Sequence, residues 1–424
     1  MPTATTHSEQ ALDELQGDFR SAAAQPSSVA PPVAPASVDM PEIDRLMEEA
    51  LRSKKTPGAV VVVGRAGGVV FERAYGQREL VPRRVDMTRD TIFDLASLTK
   101  PLVVGTLVQV LMDQGKLQLE DLAKTYLPEL DFYLEQRVTL GHLLLHTSGL
   151  PASNPLSEYQ GGARQALARA LQSPVLAVPG QRFEYSDIGY IALGVLLERA
   201  TGERLDALAQ RLLWQPLGMS DTRYCVPVCK DPRIAPTDLS LDREMSPIRG
   251  QVHDPRAYRL GGVAGNAGLF SSAPDLVRYA RMLLSQGELD GVRVLSPEAV
   301  QRFTQPHKVT GGERSPGWDV SAQFHKARGT LLSPRAYGHG GYTGTQLWID
   351  PAQDLFVLFL SNRNHPYGTG RVLELEGQIV DAAVRALAPP GAYESSAYSN
   401  QSKSAGDAPA ASAAATPDSA NSPK

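Results

Sequence analysis

The sequence predicts an α/β fold of the α+β type, in which N- and C-terminal strands form one antiparallel sheet, flanked by helices, with a large helical insertion between them. Two strand-rich runs lie near the start of the chain and two near its end, while helical patterns dominate between them. Strands at both ends and helices between them indicate one sheet formed by the two ends of the chain.

The N-terminal elements are a helix and a hairpin. The run IDRLMEEALRSK, from residue 43, places apolar residues near helical spacing. The β-rich runs GAVVVVGR and GVVFERAYG follow, joined by a turn that contains glycine. This pattern predicts an antiparallel hairpin within residues 58–76.

The remaining elements follow the same reasoning. GTQLWID and DLFVLFLS, joined by the turn residues 351–354, predict a second hairpin, and a helix follows in VLELEGQIVDAAVRAL. Between the hairpins, helical spacing recurs in LVVGTLVQVLMDQG, GYIALGVLLERATG and APDLVRYARMLLSQG. These helices make up the predicted insertion.

The folded domain is predicted to span residues 41–390. Residues 1–40 and 391–424 contain long stretches rich in Ala, Pro and Ser. Such segments cannot bury enough apolar surface to offset the entropy of ordering, so we expect two disordered tails.

Composition limits the functional classes. The 424 residues carry a formal net charge of -4 with a pI near 6.1, which does not fit a basic nucleic-acid binder or a cationic membrane-surface protein. No apolar run is long enough for a transmembrane helix, and no secretory signal is visible at the N-terminus. We expect specificity for a small-molecule or peptide substrate to come from a local pocket.

One cysteine pair and one histidine pair have spacings that could suit metal ligands, but neither pair predicts a metal or cofactor site. Cys225 and Cys229 are spaced for a local disulfide or two free thiols, and no second Cys pair completes a zinc site. His142 and His146, four apart, would share one helix face, but three leucines stand between them where zinc proteases need a Glu.

The first candidate for chemistry is Ser97 with Lys100, in DLASLTKP. Residues three apart on a helix share one face, so a neutral lysine amine could accept the serine proton. Pro101 fits only if the helix has just begun, which would place Ser97 where backbone N–H groups are free to bind an oxyanion. The competing interpretation is that Ser97 caps a helix and Lys100 points to water.

The second candidate is Tyr185, two residues before Asp187 in EYSDIGY. A tyrosine oxygen beside a lysine ammonium can act as a base or a proton relay. The alternative is a packed tyrosine at a helix start, with Ser186 or Asp187 as the N-cap.

The third candidate is the glycine-rich run GHGGYTGT, from residue 338, which leads into the predicted strand QLWID. Glycines at a strand edge let a substrate approach the backbone, so Gly340 and Gly341 are candidate substrate-binding residues. A free N–H in this run could pair with that of Ser97 in an oxyanion hole. The alternative is an ordinary turn entering a strand.

These three elements, in this order, resemble the superfamily of penicillin-binding proteins and serine β-lactamases. The closer match is its class C-like branch, which includes class C β-lactamases, D-peptidases and family VIII-type esterases. The resemblance covers most of residues 41–388 and includes the segments Leu144–Leu150, Pro179–Ser186, Pro216–Met219, Gly265–Ser271 and Leu360–Arg363.

The resemblance implies a role for each candidate. Ser97 would be the nucleophile, Lys100 would activate it, and Tyr185 would pass protons to the leaving group and later to water. The N–H groups of Ser97 and Tyr342 would hold the oxyanion, and His339 would take the place of the family's third-motif lysine. His146, in the matching His-Thr-Ser-Gly segment, would hold a loop. The implied function is hydrolysis of an ester, a D-amino-acid peptide or a lactam through an acyl-enzyme.

Two residues depart from the family pattern. Asp187 stands where the family usually has Asn, and His339 replaces a fixed positive charge for a substrate carboxylate. Both favour a neutral ester or amide over an efficient β-lactamase or carboxypeptidase reaction. The alternative function is a catalytically weak relative that binds cell-wall peptide or a protein partner.

Overall fold

A computed structural model of the protein describes residues 36–130, 137–240, 246–321 and 326–389. The predicted tails lie outside the described residues, apart from residues 36–40. The α-helices are α1 Pro41–Arg52, α2 Thr106–Asp113, α3 Leu140–Leu144, α4 Ala163–Leu171, α5 Asp187–Thr201, α6 Leu205–Ala209, α7 Gln215–Leu217, α8 Pro255–Arg259, α9 Ala273–Leu284, α10 Pro297–Thr304 and α11 Leu373–Leu387.

Most strands lie near the two ends of the chain. The strands are β1 Gly58–Arg65, β2 Gly68–Glu79, β3 Val85–Asp86, β4 Ile92–Asp94, β5 Arg223–Tyr224, β6 Leu239–Ser240, β7 Ser246–Pro247, β8 Leu269–Ser272, β9 Glu288–Leu289, β10 Val292–Arg293, β11 His307–Val309, β12 Gly312–Arg314, β13 Tyr337–Gly341, β14 Thr345–Asp350 and β15 Leu355–Ser361. Both predicted hairpins are confirmed, as β1–β2 and β14–β15.

The central sheet joins the two ends of the chain. Its strand order is β13-β14-β15-β1-β2-β3, and all neighbouring strands are antiparallel. The N-terminal strand β1 pairs directly with the C-terminal strand β15, with Ala59 opposite Ser361 and Gly64 opposite Phe356. The predicted fold class, including the helical insertion, is therefore confirmed.

Strand β1 shows why the sheet is buried on both faces. Side chains alternate along a strand, so Val60 and Val62 enter one core while Val61 and Val63 enter the other. Helices α1 and α11 supply residues to the second core, and the helical insertion fills the first. A continuous valine run is the composition that a two-sided core requires.

The segment predicted as one helix from residue 102 starts differently. A π-helical turn, Lys100–Gly105, precedes α2 and follows a 3₁₀ turn at Ala96–Leu98. Pro101, which has no N–H to donate, lies in the first positions of this turn, and the Thr106 hydroxyl donates to its carbonyl at 2.9 Å. Ser97 and Lys100 therefore precede the regular helix.

A buried carboxyl group on α11 makes the stability of the fold pH-dependent. Glu376 is 4% exposed, and burial raises the pKa of its carboxyl from 4.5 to about 8, against the opposing charge of Arg363. The unfolded chain loses this proton near pH 4.5 and the folded chain near pH 8. The stabilisation is complete below the lower pKa and is lost as the pH rises through the upper one.

Glu376→Gln is therefore expected to remove this loss. Relative to the variant, the wild-type free energy of unfolding should fall by about 1.4 kcal/mol for each pH unit between these two pKa values. Urea denaturation at a series of pH values measures the slope. Glu374→Gln, at an exposed acid in the first turn of the same helix, is the control and should keep the wild-type slope. Equal slopes for all three proteins would contradict the prediction.

Candidate active site

Ser97 is presented to solvent by a strained turn after β4. Its predecessor Ala96 has φ 45°, a conformation that costs about 1–3 kcal/mol for a residue with a side chain. The Asp94 carboxylate accepts from the Ala96 N–H at 2.9 Å, and the Thr99 hydroxyl donates to the Ala96 carbonyl at 2.7 Å. These buried contacts hold the turn, while Ser97 remains partly exposed.

Lys100 lies directly beneath Ser97 and is 0% exposed. Its Nζ donates to Ser97 Oγ at 3.0 Å and to the Asn266 carbonyl at 3.0 Å, and it forms an ion pair with Asp187 Oδ1 at 2.7 Å. Burial has the largest single effect and works to lower the pKa of Lys100, but Asp187 and Tyr185 together outweigh it, so the net pKa lies above its ordinary value. The resting site therefore holds a buried ammonium.

Tyr185 completes the cluster from the loop before α5. Its ring centroid lies 4.9 Å from Lys100 Nζ, so the ring adjoins the amine that contacts Ser97 Oγ. Burial raises the pKa of the Tyr185 phenol, although the neighbouring ammonium acts in the opposite direction. The structure thus brings together the three residues predicted to carry the chemistry.

The His146 ring packs against Tyr185. Its ring stacks on the Tyr185 ring with centroids 4.4 Å apart, and Nδ1 accepts from the Ser186 N–H at 2.9 Å. Burial lowers the pKa of His146 well below its usual range, so the ring is neutral. The expectation that His142 and His146 share a helix face is wrong, because α3 ends at Leu144 and His146 has φ 58°. The interpretation that His146 holds a loop agrees with these contacts.

The glycine-rich strand β13 runs beside the Ser97 turn. The Thr343 hydroxyl donates to the Asp94 carbonyl at 2.6 Å, and the Thr345 hydroxyl donates to the Leu95 carbonyl at 3.2 Å. A β-carbon on Gly341 would lie 2.3 Å from the Leu95 oxygen, so only glycine permits this approach. Two hydroxyls and one glycine therefore fix the end of β13 against the turn that carries Ser97.

The other residues predicted from this run differ in exposure. Tyr342 is 62% exposed, with its ring 5.5 Å from the His253 ring and 4.6 Å from the Arg363 guanidinium. His339 is buried, its Nδ1 lies 2.8 Å from the Gly340 carbonyl, and its ring centroid is 6.1 Å from that of Tyr185. Tyr342 is therefore open to solvent, whereas His339 is not.

A cavity of about 1250 Å³ adjoins these residues. Tyr185, Gly340, Gly341 and Tyr342 line one end of it, and residues from the start of α11 line the other. Its size suits a small-molecule or peptide ligand.

Asp94 and Asn266 are site residues that the sequence reasoning did not single out. The Asp94 carboxylate accepts from the Ala96 and His253 N–H groups, and its carbonyl accepts from Thr343, so one residue joins three segments of the site. The available signal was an acid at the end of a strand, directly before the Ser-x-x-Lys sequence. Asn266 contributes a backbone carbonyl to Lys100, which no side-chain pattern could reveal.

Three further observations concern the remaining expectations from the sequence. Cys225 and Cys229 form a disulfide, which resolves the alternatives left open by their spacing. Within the described ranges, no group of three or more His, Cys, Asp or Glu side chains could hold a metal ion. Among the helices of that part of the chain, none has the length and apolar character to span a bilayer.

The sheet formed by the two chain ends, the helical insertion and the Ser-x-x-Lys turn between them define the class of penicillin-binding-protein-like and β-lactamase-like folds. The chain belongs to the Beta-lactamase family, whose sequence model matches residues 43–380. The resemblance inferred from the motifs is therefore confirmed. This is a family of serine hydrolases of the β-lactamase fold.

Named relatives illustrate the range of the family. The chain is 32% identical over 345 residues to a protein of Escherichia coli O157:H7 named "Putative D-alanyl-D-alanine carboxypeptidase", covering 73% of this chain and 79% of that protein. It is 30% identical over 361 residues to the "N-acetylmuramyl-L-alanine amidase" of Bacillus subtilis (strain 168), covering 76% and 81%. The solved structure titled "EstCE1, a hydrolase with promiscuous acyltransferase activity" shares the fold, with TM-score 0.67 and 23% identity over 81% of this chain and 98% of that one.

Proposed function

We propose that this chain hydrolyses an ester, a D-amino-acid peptide or a lactam through an acyl-enzyme on Ser97. The observation that carries the proposal is the contact of Lys100 Nζ with Ser97 Oγ at 3.0 Å, with the Tyr185 ring centroid 4.9 Å from the same amine. A hydroxyl within reach of two groups able to exchange its proton is the arrangement that nucleophilic catalysis requires.

The proposed acylation balances its protons within this cluster. Ser97 Oγ bonds to the substrate carbonyl carbon, and its proton passes to Lys100 or Tyr185, whichever is deprotonated. Collapse of the tetrahedral intermediate breaks the bond to the leaving group, which takes a proton from Tyr185. Water repeats the sequence on the acyl-enzyme and releases the acid, and Ser97 recovers its proton.

The proposed oxyanion site consists of the backbone N–H groups of Ser97 and Tyr342. Ser97 lies in a strained turn and Tyr342 directly follows β13, and the Thr343 and Thr345 hydroxyls join the two segments. Preorganised donors of this kind stabilise charge that develops on the substrate oxygen. Gly340 and Gly341 would admit the substrate backbone alongside β13.

We favour an ester or D-peptide over a β-lactam as the substrate. His339 is buried, with its Nδ1 on a backbone carbonyl, so it does not present a fixed charge to a substrate carboxylate. The name of the carboxypeptidase relative supports a D-peptide, in which case a group other than His339 must hold the substrate carboxylate.

The alternative function is a catalytically weak relative that binds cell-wall peptide or a protein partner. The observation that favours it is the ion pair of Lys100 with Asp187, because an ammonium cannot accept the proton of Ser97. Turnover of p-nitrophenyl esters by the wild type, lost in Lys100→Ala, would exclude this alternative.

Covalent labelling tests the proposal directly. A fluorophosphonate should add one adduct to the wild-type protein by intact mass, and peptide mapping should place it on Ser97. Ser97→Ala should show no adduct, while Ser285→Ala, at an exposed serine that ends α9, should label as the wild type does. An unlabelled wild type, or an adduct that persists in Ser97→Ala, would refute the assignment of Ser97.

A further inference from the structure

Asp187 makes the shortest described contact to the Lys100 amine. It is the first residue of α5, after the N-cap Ser186, and its side chain is 25% exposed. Its Oδ1 lies 2.7 Å from Lys100 Nζ, closer than the Ser97 hydroxyl at 3.0 Å. The N-cap hydroxyl belongs to Ser186, which accepts from the Gly189 N–H. Helix capping therefore does not account for the acid at position 187.

We propose that Asp187 is a positioning residue that holds Lys100 as an ammonium in the resting enzyme, and thereby shifts the activation of Ser97 to alkaline pH. The inference rests on the proposed function, because it concerns the activation of the same serine. Asp187 stands where the family usually has asparagine, and its negative charge is what distinguishes the two residues at this position.

The remaining groups around Lys100 do not provide an equivalent charge. His146 is a neutral ring, and the rings of Tyr185 and Tyr190 lie 4.9 and 5.8 Å from Nζ. The His339 ring centroid and the Arg314 guanidinium lie 6.1 and 6.0 Å from the Tyr185 ring centroid. These two groups are basic and cannot serve as the counterion.

Asp254 is a further acid close enough for the charge of Lys100 to act on it, but its carboxyl group makes other hydrogen bonds. Its Oδ1 accepts from the Ala257 N–H at 2.7 Å at the start of α8, and from the Asn266 amide at 3.4 Å. Burial, and next the charge of Asp187, raise the pKa of the Asp254 carboxyl. Asp187 is therefore the carboxylate in direct contact with the amine.

The direction of the effect is the same for either general base. The negative charge of Asp187 favours the ammonium form of Lys100 and disfavours the phenolate form of Tyr185. Whichever group accepts the Ser97 proton must first be deprotonated, and Asp187 moves that deprotonation to higher pH. Removing the charge should therefore move the pH–rate profile toward lower pH in both cases.

Asp187→Asn is the decisive variant, because the amide keeps the shape and an oxygen acceptor for Lys100 but loses the charge. The rising limb of kcat/KM against pH, measured with a p-nitrophenyl ester, should move down by about 1–3 pH units, the range typical for loss of an adjacent opposite charge. At a pH on that limb, each unit of displacement raises kcat/KM about tenfold, while the alkaline plateau does not rise. If Asp187→Asn only disturbed the structure, kcat/KM would fall at every pH, and the rising limb would stay at the wild-type pH.

The matched control is Asp206→Asn. Asp206 also lies in the first turn of a helix, α6, is paired with a cation, Arg204, and is 28% exposed in its side chain. In this variant the rising limb of kcat/KM should stay at the wild-type pH. An Asp187→Asn profile with its limb at the wild-type pH would overturn the inference.

A second measurement separates this inference from the proposed function. In protein labelled with ¹³C at the lysine ε-carbon, the Lys100 signal, assigned by its loss in Lys100→Arg, should titrate at lower pH in Asp187→Asn than in the wild type. This readout needs no turnover, so it decides the inference even if Ser97 takes no label. An unchanged Lys100 titration would refute the inference while leaving the fluorophosphonate result to decide the function.

Discussion

Replacing Lys100 with methionine is expected to lower kcat/KM for a p-nitrophenyl ester by about 10²–10⁴-fold, the range typical of a lost general acid–base group. The amine donates to Ser97 Oγ at 3.0 Å, and the methionine thioether cannot exchange a proton. The loss should fall mainly on kcat, because Lys100 is fully buried beneath Ser97 and would not touch the bound substrate directly.

The folded state should survive this substitution. Methionine fills a similar volume with an apolar chain and avoids the cost of burying an ammonium, while Asp187 is partly exposed and can be hydrated. Lys116→Met, at an exposed lysine after α2, is the control and should keep the wild-type kcat/KM. A folded Lys100→Met variant with near wild-type kcat would show that Lys100 takes no part in the reaction.

The fold was predictable because its strands have strong local signals. The valine-rich run GAVVVVGR predicts a strand that is buried on both faces. The two hairpins bring the ends of the chain together because they pair within one sheet. The start of the helix near residue 100 was less predictable. Its π-helical turn depends on the packing around Pro101 and on the Thr106 hydroxyl, which are tertiary rather than periodic features.

The candidate site likewise has a part that is predictable from local sequence and a part that depends on tertiary structure. Ser97 and Lys100 are local, three residues apart, and the motif alone predicts their contact. The convergence of Tyr185 and Tyr342 on them required a family resemblance, because these residues are far apart in the sequence. The same dependence on tertiary structure explains why the ion pair of Asp187 and the three-way contacts of Asp94 became visible only in the folded protein.

The second large effect is expected for a substitution at Gly341, in the glycine-rich strand β13. A β-carbon there would lie 2.3 Å from the Leu95 carbonyl and 2.4 Å from the Thr345 hydroxyl, both far inside van der Waals contact. Gly341→Ala must therefore push β13 away from the turn that carries Ser97. Overpacking of this kind typically costs about 1–3 kcal/mol of stability.

Because the same movement separates Ser97 from Tyr342, Gly341→Ala should lower kcat by about 10²–10³-fold, as expected when one oxyanion donor is lost. Gly189→Ala is the control, since its added carbon would meet its nearest neighbour at 3.6 Å, an ordinary contact inside α5. It should be at least as stable as the wild type in thermal unfolding, because alanine favours a helix interior over glycine. If Gly341→Ala keeps both the wild-type kcat and the wild-type melting temperature, the close approach of β13 to Ser97 is not what organises the site.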